Sequence, residues 1–115
     1  MELKFSLRNG ASFSAVIPDY NAEALTANLN DPKQYIVQIG DIVIAKNMIS
    51  LVSPVQPPEG ANVQIFLQNG ETVNEYIEAY NAAAIAERAN NQQNMVFAIG
   101  NTIVSKNLFG YITPI

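Results

Sequence analysis

The sequence contains no cysteine and no histidine, and only 14% of its residues are charged. Without cysteine there are no disulfides, no thiolate metal sites and no thiol nucleophile, and the redox compartment is left open. Without histidine, the side chain that most often carries general acid-base chemistry near neutral pH is missing. No Walker-type glycine loop is present either. Basic residues are scarce as well: six Lys and Arg stand against ten Asp and Glu, for a net charge of −4 and an isoelectric point near 4.5. A broad basic face for nonspecific phosphate binding is therefore excluded, and any nucleic-acid contact must be local.

No run approaches the roughly 18 apolar residues of a membrane span. The start, Met-Glu-Leu-Lys-Phe, shows no basic segment followed by an apolar one. The expectation is a soluble, cytoplasmic protein. What the chain has in quantity is apolar material, 49% of 115 residues. That suffices for a core throughout, in one compact domain or in two very small modules that share surface.

The two-module alternative is supported by an internal repeat at a spacing of sixty residues. Asn9-Gly10 recurs as Asn69-Gly70, Tyr20-Asn21-Ala22 as Tyr80-Asn81-Ala82, Ile39-Gly40 as Ile99-Gly100, Lys46-Asn47 as Lys106-Asn107, and Pro54 as Pro114. Of the 54 aligned pairs between residues 2–55 and 62–115, 14 are identical without a gap. The expected organisation is a first module at 1–55, a short stiff linker at 56–61 carrying Pro57, Pro58 and Gly60, and a second module at 62–115.

Within each copy the apolar spacing predicts the elements. Leu3, Phe5 and Leu7 alternate with polar residues, as do Val63, Ile65 and Leu67, which is the period of a half-buried strand. Asn-Gly then marks a tight hairpin turn. A second strand follows through Phe13 to Ile17, or Val73 to Ile77. The alanine-rich stretches 22–29 and 82–89 predict a short helix behind a possible Asn cap. Three strands complete the copy: 35–39, 42–45 and 48–53 in the first, 95–99, 102–105 and 108–113 in the second. Five short antiparallel strands leave edges and one face uncovered in an open sheet, so a mainly β fold of two small five-stranded barrels, each with one short helix, is expected. The halves should superpose, and two halves that do not, or a single sheet running through both, would overturn this barrel reading and the family likeness set out below.

Glu71, Glu75 and Glu78 are the conceivable catalytic cluster, but their counterparts are Ala11, Ala15 and Pro18. On a strand Glu71 and Glu75 share a face while Glu78 lies on the other. They read as an exposed acidic surface, and the chain reads as a non-enzyme without cofactor or metal.

Two stretches resemble a known family. Phe66-Leu67-Gln68-Asn69-Gly70-Glu71-Thr72-Val73, continuing to Ile77-Glu78-Ala79-Tyr80-Asn81, is similar to the first motif of the Sm and LSm family in its bacterial, Hfq-type form. Ile42-Val43-Ile44-Ala45-Lys46-Asn47-Met48-Ile49-Ser50-Leu51-Val52-Ser53-Pro54 resembles the second motif, and Thr102 to Pro114 repeats that likeness. The family's strand-bending glycine is replaced by Ala15 and Glu75, its Asp by Asn21 and Asn81, and a helical segment stands where the family has a tight loop.

The resemblance implies SH3-like barrels that assemble into a ring, the fourth strand of one module pairing with the fifth of the next. It also implies a central pore that binds single-stranded nucleic acid, RNA before DNA, with partners limited to the chain itself and that ligand. By the same resemblance Lys46, Asn47, Lys106 and Asn107 fall in the pore-facing loop, the lysines on phosphates and the asparagines near bases or sugars. Asn21 and Asn81, in place of the family's Asp, complete the candidate set. Competing readings remain for each: a solvated turn for the Lys-Asn pairs, helix caps for Asn21 and Asn81, and for the whole chain a structural or protein-interaction ring without nucleic acid.

Overall fold

In the computed structural model, which describes residues 1–115, both halves pass through the same elements in the same order. The first half comprises β1 (Glu2–Leu7), β2 (Ser12–Val16), α1 (Ala22–Leu29), β3 (Ile36–Ile39), β4 (Ile42–Ala45) and β5 (Ile49–Pro54). The second comprises β6 (Val63–Leu67), β7 (Thr72–Glu75), α2 (Ala82–Asn90), β8 (Val96–Ile99), β9 (Thr102–Ser105) and β10 (Phe109–Pro114). The protein is mainly β with two helices, and no helix is long and apolar enough to cross a membrane.

Local chemistry accounts for the boundaries. The first hairpin of each half turns at Asn-Gly, where Gly10 and Gly70 take φ of +88° and +92° and the preceding Asn accepts a backbone amide two residues on. The second strand ends earlier than its alternation predicts, at Val16 and at Glu75. Pro18 has no amide to continue the ladder, and Asp19 and its counterpart Ala79 sit in the left-handed region at φ 57° and 54°. The chain then enters each helix through an Asn cap.

In both halves the first strand is central, in the orders β2-β1-β5 and β7-β6-β10, and the third and fourth strands form a separate hairpin. The second hairpin does not stay apart. Strand β9 pairs antiparallel with β5, Leu51 opposite Val104 and Val52 opposite Ile103, giving a sheet β2-β1-β5-β9-β8. The remaining sheets are β10-β6-β7 and β3-β4.

These ladders correct two expectations. None of the three sheets is closed, because the early stop of the second strand and the inserted helix leave no ladder from β2 to β3 or from β7 to β8. One sheet also runs through both halves, so the modules are not self-contained. The cores follow suit. Val96, Ala98 and Ile103 pack with Leu3, Phe5, Leu25, Leu29, Val37 and Val52 of the first half, while Leu51 packs with Ile65, Leu67, Phe97 and Ile99 of the second. Strand β8 is consequently buried on both faces, whereas its counterpart β3 is buried on one.

Candidate nucleic-acid interface and the seam between halves

Lys46 opens the short 3-10 turn Lys46–Met48 between β4 and β5, and Lys106 stands in the equivalent turn between β9 and β10. Both lysines make the same contact. The Lys46 ammonium donates to the Asp31 carbonyl at 2.6 Å, and Lys106 donates to the Asn91 carbonyl at 2.5 Å. These carbonyls lie just past the ends of α1 and α2, in turns where each also accepts a backbone amide, from Gln34 and from Asn94, and a cation close to a helix C-terminus is favoured. The recurrence of lysine at this spacing therefore has a folding reason. Each ammonium carries three donors, so this contact leaves others to face solvent.

Asn47 and Asn107 are exposed. The Asn47 amide lies 3.5 Å from the hydroxyl of Tyr35, whose ring is also exposed. An aromatic face, a cation and an amide are thus grouped on the first half; Met95 takes the place of Tyr35 on the second. Asn107 instead borders a polar groove of about 340 Å³ at the junction of the halves, lined also by Arg8, Ser50, Asn69 and Ser105. Asn21 and Asn81 are helix caps, their side-chain oxygens accepting from the amides of Ala24 and Ala84 at 2.9 and 3.1 Å.

The junction itself is built from residues that the pattern of apolar positions does not reveal. The Asn30 side chain, at the end of α1, is held against the outer edge of β8 by three hydrogen bonds. Its amide donates to the Val96 carbonyl at 2.9 Å, and its oxygen accepts from Met95 at 2.7 Å and Val96 at 3.1 Å. In effect one carboxamide replaces a neighbouring strand. The Tyr20 hydroxyl donates to the Asn101 carbonyl at 2.8 Å in the β8–β9 turn. Helix α1 packs across β8 and β9 as well as on its own β3. The available sequence signal was the repeat, since Tyr20 and Asn30 are matched by Tyr80 and Asn90.

Glu75 corrects the reading of an exposed acidic surface, being only 1% accessible. Val73, Glu75 and Ile77 alternate, and Glu75 stands opposite buried Val63, so the period of the strand turns it inward. Thr102 donates to its carboxylate at 2.6 Å and the Tyr76 amide approaches at 3.4 Å. Burial pushes the Glu75 carboxyl above the ordinary range, the hydrogen bonds opposing that shift only in part. Burial and then the charge of Glu75 push the Tyr20 phenol upward. Gly100 lies against this carboxylate at φ +60°, and a Cβ there would fall 2.6 Å from the Glu75 side chain. Comparison with protein-family models, with curated proteins and with solved structures finds no match to this chain.

Proposed function

We propose that the protein assembles head to tail into a closed Sm-like ring that presents its Lys-Asn corners to single-stranded nucleic acid, RNA in preference to DNA. The observation that carries the ring is the β5–β9 pairing, in which the fifth strand of one half joins the fourth of the other. This is the pairing the resemblance implies between successive modules, made here within one chain; because it joins the halves in one open sheet, the likeness supports the order of strand pairing and not self-contained barrels. It leaves the fourth strand of the first half, β4, and the fifth strand of the second, β10, each with an unpaired edge. Joining β10 of one chain to β4 of the next satisfies both of these edges, and a closed ring leaves neither of them open, while β2, β3, β7 and β8 remain edge strands.

Nucleic-acid binding at the corners is supported by the exposed Tyr35 ring beside Lys46 and Asn47, a combination that stacks a base while contacting its phosphate. A second reading, a ring serving structure or protein interaction alone, is favoured by the bond each lysine makes to its own backbone. Two measurements separate these. Light scattering should give a multiple of 12.5 kDa, about 37.5 kDa for three chains carrying six modules; a 12.5 kDa species at all concentrations refutes the ring. Anisotropy with an oligo-U probe at low salt should show binding that weakens about tenfold, or about 1.4 kcal/mol, in Lys46→Ala/Lys106→Ala. Equal binding by that variant, or none by the wild type, leaves the structural ring.

A further inference from the structure

Resting on the ring reading, we infer that Tyr80, Asn90 and the outer edge of β10 form a docking surface for the β3–β4 hairpin of a second copy of this chain, with a stated register. The template is the internal junction, which sets Tyr20, Asn30 and β5 against the β8–β9 hairpin. Adding sixty to the first group gives Tyr80, Asn90 and β10. Subtracting sixty from the second gives the β3–β4 hairpin. Both residue types are retained in the repeat, although within a single chain neither Tyr80 nor Asn90 has a hairpin to hold: Asn90 is exposed at the end of α2 and Tyr80 is half-buried.

Burial reports the same incompleteness. Val43 in β4 is 73% exposed where its counterpart Ile103 in β9 is 1% exposed, and Tyr111 in β10 is 55% exposed where Leu51 in β5 is 2% exposed. Composition runs against the observed burial. The half-buried β4, with Val43 exposed, reads Ile-Val-Ile-Ala, whereas the fully buried β9 begins with Thr102 and ends with Ser105. An apolar edge strand without a charge or proline to block pairing is a hazard unless something covers it. The β5–β9 register, transferred by sixty residues, places Ile112 opposite Val43 and Tyr111 opposite Ile44 of the neighbouring copy. By the same transfer, Asn90 bonds the outer backbone of Tyr35 and Ile36, and the Tyr80 hydroxyl donates to the Asp41 carbonyl of that copy.

The two sides can be blocked separately on the full chain. Asn90→Ala removes the clamp, and Val43→Lys places a charge on the exposed edge of the hairpin; Gln92→Ala, at an exposed loop position, serves as the control. Light scattering should show the control assembled like the wild type, with each blocked variant at least tenfold weaker in self-association. Mixed in equal amounts, the two should form a dimer of about 25 kDa, twice 12.5 kDa, because each retains the side that the other lacks. Circular dichroism and thermal melts confirm that each variant is folded; should Val43→Lys fail to fold, Val43→Thr replaces it. A wild type that stays monomeric overturns the ring and the docking surface together. An assembling wild type whose Asn90→Ala variant matches the control, or blocked variants that do not complement on mixing, overturn the docking surface alone.

Discussion

Asn30 and Asn90 are the same residue at the same place in the repeat, yet replacing each by alanine should have unequal consequences for the isolated chain. Asn30→Ala deletes three hydrogen bonds of 2.7–3.1 Å to the edge of β8. At a net of roughly 0.5–1.5 kcal/mol each, the sum is about 1.5–4.5 kcal/mol. Met95 is exposed and its amide regains water, whereas Val96 is buried and its two groups lose their partner, which narrows the expected loss to about 2–3 kcal/mol. For a chain of this length that corresponds to a drop of about 8–12 °C in Tm. Asn90 is exposed, so Asn90→Ala should fall within about 0.5 kcal/mol of wild type. Urea unfolding followed by circular dichroism, at protein concentrations too low for assembly, measures both. A loss below about 0.5 kcal/mol for Asn30→Ala, or equal losses for the two, refutes the view that the Asn30 carboxamide stabilises the junction between the halves.

Two further substitutions test buried and strained groups. Because Glu75 has its carboxyl raised in the folded state, the native chain binds more protons than the unfolded chain above the ordinary carboxyl pKa, and stability should fall as pH rises through that window. Glu75→Gln keeps an acceptor for Thr102 and removes the titration; urea melts should show it more stable than wild type at pH 8, by about 1.4 kcal/mol per unit of the native shift, and level with it at pH 4, and a variant less stable at both pH values defeats this account. Ala79→Gly relieves a left-handed alanine that costs roughly 1–2 kcal/mol, against roughly 0.5–1 kcal/mol of added chain entropy. Thermal denaturation should show a gain of up to about 1.5 kcal/mol, and a lower Tm would show that this loop holds alanine for another reason.

The elements were legible in the sequence because their signals are local. Alternation located β1 and β6, Asn-Gly located the first turns, and alanine enrichment behind Asn located α1 and α2 to within a residue. The arrangement of sheets was not legible, because β3–β4 and β8–β9 carry equivalent patterns and only tertiary packing decides that one is sandwiched and the other left at an edge. The apolar content of β4 even pointed the other way. Barrel closure failed for a local reason that was visible in part, since Pro18 and the helix already stood between the second and third strands. At the candidate site, Lys46 and Lys106 were singled out by their recurrence, but the carbonyls they bind lie fifteen residues upstream and belong to the helix-end geometry. Glu75 belongs with Val73 and Ile77, whose alternation sets its face, and not with the neighbouring acids Glu71 and Glu78.

The linker has little part in fixing the angle between the halves. That angle is set by the β5–β9 register, by Asn30 on β8, by Tyr20 on the β8–β9 turn and by α1 lying across that hairpin, none of which involves residues 56–61. A second copy that docks through β10, Tyr80 and Asn90 meets the same geometry without a linker, so the rotation between chains equals the rotation within one. A head-to-tail contact of constant rotation either returns to its starting point or runs on as a helix. The number of modules in a closed assembly is then a property of the junction and must be even, because every chain contributes two. It follows that altering the length of segment 56–61 should leave the subunit count unchanged, whereas substitutions at the junction should change it or abolish assembly.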